Sequence, residues 1–160
     1  KQANIDRARK NKFVKIVYAY DWKSHSDNAT LIHEEVMSII GELKDEFPSI
    51  KFRFNSLGGK DGSIYCDICR QISSADVGLF DLSTDNLNVV FELGLALGAG
   101  IYAFILRSRH SQRRSGSLSD LNGILEYRFS RRNGRLSFQA NFRRSLKTKL
   151  RYAARERLKK

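Results

Sequence analysis

Residues 77–106 read VGLFDLSTDNLNVVFELGLALGAGIYAFIL, which predicts a strand, a polar turn, a helix and a second strand. The only charged side chains of this stretch are Asp81, Asp85 and Glu92, in a chain whose formal net charge is +12. The two aspartates fall at the predicted turn, where carboxylates are common. Glu92 falls in a helix that is apolar on every side, and such a helix is expected to be buried. Because a buried carboxylate rarely lacks a partner, and no Lys or Arg lies within one helical turn, we expect a chemical role for Glu92.

Strand-like and helix-like patterns alternate along the rest of the chain. Short apolar runs predict strands at residues 13–19, 50–54, 77–82, 101–106 and 124–129. Helical spacing predicts helices at residues 29–47, 64–73, 85–98 and 138–158, with Asp27 or Asn28 as the first N-cap and a turn at 131–135. This alternation predicts one α/β domain over residues 13–160, with helices on both faces of a mainly parallel sheet of about five strands. Residues 1–12 are interpreted as a basic extension or linker.

Composition excludes several other classes of protein. No run of the chain reaches the roughly 18 apolar residues that a membrane-spanning helix needs. The only two cysteines, Cys66 and Cys69, provide no disulfide framework. A lone C-x-x-C with three scattered histidines does not match a zinc site, so we expect no metal. We therefore expect a cytoplasmic protein without a membrane partner.

The positive charge is concentrated at the C-terminal end. Residues 107–160 hold 17 Lys or Arg against 3 Asp or Glu, whereas residues 1–106 hold 12 against 14. Such a segment is usually the solvated face of a helix, and this is the interpretation we favour. Contact with nucleic acid or another acidic surface is the alternative.

The loops that follow the predicted strands supply the candidate binding residues. Ligands of open parallel sheets bind outside the carboxyl ends of the strands, at the point where the strand order reverses. Tyr20, Asp21 and Trp22 follow the first strand, where the aromatic rings either stack on a base or pack, and the carboxylate is a candidate ligand for ribose hydroxyls. Gly58 and Gly59 follow the second strand and allow backbone N–H groups to approach a pyrophosphate.

Three further candidates precede or share the Glu92 helix. Asp81 closes the third strand and Ser83 follows it, while Asn88 lies four residues before Glu92 and therefore on the same helix face. Asp81 is alternatively a turn former, and Asn88 a helix cap. Glu92 itself is alternatively a half-solvated residue paired with Arg107 or Lys60.

The segment at residues 81–98, DLSTDNLNVVFELGLALG, resembles the TIR-like and nucleoside 2-deoxyribosyltransferase-like nucleotide-binding families. Their sequences have a strand that ends in Asp, a polar turn and an Asn-Val-x-x-Glu-Leu-Gly-x-Ala helix. The matching residues here are Asp81, Asn88, Val89, Glu92, Leu93, Gly94 and Ala96, and Leu87 stands where relatives often have proline. The resemblance implies a flavodoxin-like (TIR-like) three-layer fold. It also implies that Glu92 attacks or stabilises the anomeric carbon of a ribose during N-glycosidic cleavage.

The chemistry of the leaving group favours NAD as the substrate, with no cofactor. Glycosidic cleavage develops positive charge at the anomeric carbon, which a fixed carboxylate stabilises. The nicotinamide ring of NAD is already cationic and leaves neutral, so one carboxylate suffices. A neutral nucleoside needs a second acid, for which Asp81 or Asp21 is the candidate.

Other functions remain open at this point. One is a nucleoside deoxyribosyltransferase, and another is a catalytically silent domain that binds a nucleotide or assembles with copies of itself. The resemblance further implies a homo-oligomer and a role as a signalling or antiviral defence effector.

Overall fold

The computed structural model describes residues 12–23, 26–58, 64–84, 86–111, 126–138 and 141–159. Over these residues, six strands and four helices follow one another. In chain order they are β1 Lys12–Ala19, α1 Ser26–Glu46, β2 Ile50–Ser56, α2 Ile64–Ser73, β3 Val77–Asp81, α3 Leu87–Gly98, β4 Tyr102–Ser108, β5 Glu126–Arg132, β6 Arg135–Phe138 and α4 Phe142–Lys159. The strand β1 therefore includes Lys12, the last residue of the predicted extension.

The strands form one sheet in the order β2-β1-β3-β4-β5-β6. The first five strands are parallel, and β6 pairs antiparallel with β5. Ile16 of β1 lies between Phe54 of β2 and Val77 of β3. The order of the first five strands is consistent with a flavodoxin-like sheet, in which the strand order reverses at β1 and β3. The predicted α/β class and mainly parallel sheet are confirmed.

Helices cover both faces of the sheet and form two apolar cores. One core joins the sheet to α1 and α4 through residues such as Ile16, Ile39 and Leu146. The other joins the opposite face to α2 and α3 through residues such as Ile72 and Leu93. Because alternate side chains of a strand point to opposite faces, Leu79 enters the first core and Phe80 the second.

The expectation of about five strands is wrong by one, because a hairpin follows β5. Asn133 and Gly134 both have positive φ, 50° and 71°. A two-residue Asn-Gly turn with this geometry suits the twist of an antiparallel pair, so the chain returns as β6. The predicted turn at residues 131–135 is therefore too wide, since Arg131 and Arg135 lie in strands.

Several helix starts also differ from prediction. The helix α1 begins at Ser26, so Asp27 and Asn28 lie within its first turn and neither is the N-cap. Phe138 is not helical, because it pairs with Phe129 in the β5–β6 hairpin.

Several basic side chains of α4 form ion pairs with carboxylates of α1. The Arg143 guanidinium lies 2.6 Å from a carboxylate oxygen of Glu35 and also pairs with Glu42. Lys147 lies 2.6 Å from Glu42. Arg151 lies 2.7 Å from Glu46. These side chains recur every four residues and so form one row along α4.

Within the described ranges, none of the helices has the length and apolar character required to cross a bilayer.

Candidate functional site

A cleft of about 540 Å³ opens over the carboxyl ends of β1 and β2, between α2 and α3. We call it the first cleft. It adjoins the point where the sheet order reverses, which is the expected ligand position in this class of sheet. It is lined by Ala19, Tyr20, Trp22, Leu57, Gly58, Ile68, Asn86, Asn88, Val89, Phe91 and Glu92. The structure therefore brings together Tyr20, Trp22, Gly58, Asn88 and Glu92 from the sequence-predicted site.

Glu92 lies half-buried on the wall of the first cleft that α3 provides. Burial raises the pKa of its carboxyl group to about 7, because the charged form loses hydration. Among the described residues, no Lys or Arg forms an ion pair with it. Arg107, one of the two proposed partners, pairs instead with Glu126, and Lys60 lies outside the described residues.

The expectation that α3 is buried on every side is wrong. Val89, Leu93 and Ala96 are buried, but Leu87 is 80% exposed and Phe91 is 51% exposed. A single stripe packs on the sheet, because α3 lies in an outer layer over β3 and β4 and its other side faces away from the sheet. Glu92 lies beside that stripe, and this explains why its carboxyl group is half-buried.

Two asparagines at the start of α3 position this wall of the cleft. The side-chain oxygen of Asn86 accepts a hydrogen bond of 2.9 Å from the Asn88 backbone N–H, so Asn86 is the N-cap. Asn88 is therefore free of the capping role considered for it, and its side chain lies one turn before Glu92 on the cleft. Sequence reasoning missed Asn86, although the preference for Asn at caps applies equally to both residues.

The two aromatic residues after β1 have different surroundings. The Tyr20 ring stacks on Tyr18, with centroids 4.9 Å apart and an interplanar angle of 20°. Trp22 is 70% exposed at the mouth of the cleft, and the Lys23 ammonium lies 5.3 Å from its ring centroid. Packing therefore accounts for Tyr20 but not for Trp22.

Of Asp21, Gly58 and Gly59, the structure places only Gly58 among the described residues that line the first cleft. A side-chain oxygen of Asp21 accepts a 3.2 Å hydrogen bond from the Lys23 N–H, and Asp21 is not among the described residues that line the first cleft. Gly58 lines the cleft, whereas Gly59 lies outside the described residues.

Asp81 and Ser83 form hydrogen bonds at the carboxyl end of β3 and are not among the described residues that line the first cleft. The Asp81 Oδ1 accepts hydrogen bonds from the Ser83 N–H at 2.9 Å and from the Ser83 hydroxyl at 2.5 Å. The Ser83 Oγ in turn accepts one of 2.7 Å from the Ser108 N–H, which ties the end of β3 to β4. Both residues are buried, and their contact with substrate stays a prediction.

Cys66, which is exposed, and Cys69, which is half-buried, form no disulfide within the described residues. In the part of the chain that the structure describes, His, Cys, Asp and Glu form no group of three suited to hold a metal ion.

Sequence reasoning also missed a buried ion pair at the carboxyl end of β4. Arg107 is 1% exposed, and its Nε lies 3.4 Å from an oxygen of Glu126 at the start of β5. No local pattern indicates this pair, because the two residues are separated by 19 positions and only the strand pairing brings them together.

A scan of protein-family models finds none that matches this chain, and a search of curated proteins likewise finds no match.

Proposed function

We propose that this chain cleaves the N-glycosidic bond of NAD or a related nucleotide, with Glu92 as the nucleophile or as the stabiliser of the oxocarbenium ion. The observation that carries the proposal is the half-buried carboxyl group of Glu92, in a cleft at the point where the strand order reverses. Among the described residues, no Lys or Arg forms an ion pair with this carboxyl group. The resemblance of residues 81–98 to TIR-like and deoxyribosyltransferase-like proteins points to the same chemistry.

Each feature of the first cleft has a place in this reaction. Leu57, Ile68 and Val89 give it apolar walls, and electrostatic interactions are strong where water is excluded. The Asn88 amide is available for a ribose hydroxyl on the Glu92 face. Trp22 offers an exposed ring face for the nicotinamide, and Tyr20 lines the same cleft.

The reaction balances without a second acid. The bond between C1′ of the ribose and the nicotinamide nitrogen breaks, its electron pair stays on the ring, and neutral nicotinamide leaves. The Glu92 carboxylate stabilises or traps C1′, and water then supplies a hydroxyl group to C1′ and releases a proton. The products are nicotinamide, the ADP-ribosyl hemiacetal and the proton.

The lining of the cleft favours NAD over a neutral nucleoside. Glu92 is the only carboxyl group among the described residues that line it, so no second acid is available there to protonate a neutral base. The deoxyribosyltransferase alternative is weaker for this reason. A silent nucleotide-binding domain remains the second candidate, favoured by the raised pKa, which leaves a large fraction of Glu92 uncharged at neutral pH. Self-association and antiviral signalling rest on the resemblance alone.

Turnover of NAD by the wild type and by Glu92→Gln tests the proposal. We expect loss of this carboxylate to lower kcat by about 10²-fold or more, since it acts on charge that develops in the transition state. Released nicotinamide is the measurement.

Glu34→Gln is the matched control, because Glu34 is an exposed glutamate on α1. It should retain the wild-type rate. Equal rates for the wild type and Glu92→Gln would remove Glu92 from the mechanism. Thermal stabilisation by NAD without nicotinamide release would favour the silent domain.

A further inference from the structure

A second groove, of about 810 Å³, lies beside the first cleft along the outer edge of the sheet. We call it the second groove. Its side chains come from α1, β2 and α2 and include His33, Phe54, Asn55, Ser56, Asp67 and Arg70. None of these residues has a role in the reaction proposed above, so the groove needs an explanation of its own.

The first cleft and the second groove share one wall, which consists of Leu57 and Gly58. The Leu57 N–H donates a 2.7 Å hydrogen bond to the Tyr18 carbonyl, which ties the wall to β1. The Gln71 side-chain amide donates one of 2.7 Å to the Gly58 carbonyl, which ties it to α2. The wall is therefore fixed at two points, and a ligand that enters both cavities has to cross it.

Gly58 adds no side chain at this crossing. A Cβ atom built at Gly58 meets nothing within 4 Å, so the space above the backbone is empty of protein within the described ranges. Backbone without a side chain is the usual surface on which a pyrophosphate passes close to the chain.

The side chains of the second groove match a nucleoside 5′-phosphate. The Arg70 side chain is 77% exposed and uses one nitrogen on Asp67 at 3.1 Å, which leaves further N–H donors for a phosphate. The His33 and Phe54 rings, with centroids 5.1 Å apart, provide an aromatic surface for a base. Asn55 and Ser56 are polar and exposed, as ligands of ribose hydroxyls need to be.

We infer that the substrate is a dinucleotide that occupies both cavities. Its reacting ribose lies at Glu92, its pyrophosphate crosses Gly58, and its second nucleoside 5′-phosphate binds in the second groove against Arg70. This inference rests on the proposed function and adds the part of the substrate that does not react. It predicts that a mononucleotide, which fills only the first cleft, is a poorer substrate than the dinucleotide.

The experiment compares NAD with nicotinamide mononucleotide as substrates of the full chain. The readout is the ratio of the two kcat/KM values, for the wild type, Arg70→Ala and Gly58→Val. We expect the ratio to favour NAD in the wild type and to fall about tenfold in Arg70→Ala, which corresponds to about 1.4 kcal/mol. It should also fall in Gly58→Val, where a branched side chain obstructs the crossing.

Arg155→Ala is the control, since it removes an exposed cation from α4 rather than from either cavity. It should keep the wild-type ratio. If both substrates are cleaved but the ratio is the same in all four proteins, the second groove does not bind the dinucleotide, although the proposed function stands.

If the wild type cleaves neither substrate, the proposed function fails, and AMP binding decides the role of the groove. AMP binding that is weakened by Arg70→Ala but not by Arg155→Ala supports a nucleoside 5′-phosphate site. Absence of AMP binding, or equal binding by these variants, overturns it.

Discussion

Burial and the proposed function favour opposite charge states of the Glu92 carboxyl group. The apolar wall of the first cleft favours its neutral form, whereas stabilisation of an oxocarbenium ion requires the anion. With a pKa of about 7, both forms are populated near neutral pH. The activity that we propose should therefore increase as the pH rises through the neutral range.

The same shift predicts how stability depends on pH. The pKa of Glu92 is raised from 4.5 to about 7 in the folded protein, so the folded state binds the proton more tightly than the unfolded state. Protonated Glu92 therefore stabilises the folded state relative to the ionised form. This contribution to the free energy of unfolding is present in full below about pH 4.5 and is lost as the pH rises through 7. Glu92→Gln cannot ionise, so its melting temperature relative to the wild type should increase between about pH 4.5 and pH 7, the range that separates these two pKa values.

Melting curves of both proteins across this range are the measurement, with Glu34→Gln as the reference. Glu34 is exposed, so we expect a constant difference between Glu34→Gln and the wild type. A constant difference for Glu92→Gln as well would contradict the raised pKa.

Gly78 illustrates a requirement for glycine that comes from packing. A Cβ atom there would lie 2.8 Å from the Phe80 Cζ, and still closer to Cε2 of the same ring. Phe80 is fully buried in the core against α2 and α3 and cannot move aside. Gly78→Ala should therefore lower the free energy of unfolding by about 1–3 kcal/mol, the usual effect of overpacking.

Denaturant unfolding measures this effect, and Gly41→Ala is the opposite control. A Cβ atom at Gly41 meets nothing within 4 Å, and Gly41 lies inside α1. There alanine should raise the free energy of unfolding by up to about 1 kcal/mol, because glycine is a poor helix former. Equal effects at the two glycines would refute the steric argument.

At the scale of elements, the row of ion pairs between α1 and α4 explains much of the basic charge of the last helix. Arg143, Lys147 and Arg151 are paired with carboxylates, whereas Arg144 and Arg155 are exposed on the outer face of α4. A network that shares Glu42 between two cations holds its side chains better than isolated surface pairs.

Arg143→Gln should accordingly lower the melting temperature more at low salt than at high salt, because ions screen the charges that it interacts with. Arg155→Gln is the matched control: Arg155 forms no ion pair within the described part of the chain, so its loss relieves repulsion and should leave stability equal or higher. Melting curves at both salt concentrations test this, and an equally small, salt-independent effect of the two variants would show that the row contributes nothing.

Element boundaries were predictable where the pattern is local. The bounds of α2 were predicted correctly, because Ile64, Ile68 and Ile72 form a clear stripe. The strand β6 was missed because RLSF is short and half polar, and only its pairing with β5 identifies it. The start of α3 was placed too early because Asp85 and Asn86 are both good caps by residue type.

At the scale of the whole molecule, the sheet order determines which predicted site residues meet. The ends of β1 and β2 and the start of α3 are neighbours because the order reverses at β1, so Tyr20, Gly58 and Glu92 come together. This much follows from alternation and a general rule for parallel sheets. The rule does not predict the surroundings of Asp81, whose side chain accepts a hydrogen bond from the Ser83 hydroxyl. Such short-range hydrogen bonds depend on side-chain rotamers, which a sequence pattern does not encode.

The two borders of the sheet also constrain how copies of this protein can meet. On one border, β2 carries the exposed residues Lys51 and Arg53, and the Arg53 guanidinium lies over the Phe13 ring of β1, 3.6 Å from its centroid. On the other, β6 has only four residues and begins with an exposed arginine. Cations and short length are the means by which natural sheets discourage the addition of a foreign strand. Addition of a strand from a second copy at either border should consequently be disfavoured, and so should growth into cross-β fibres.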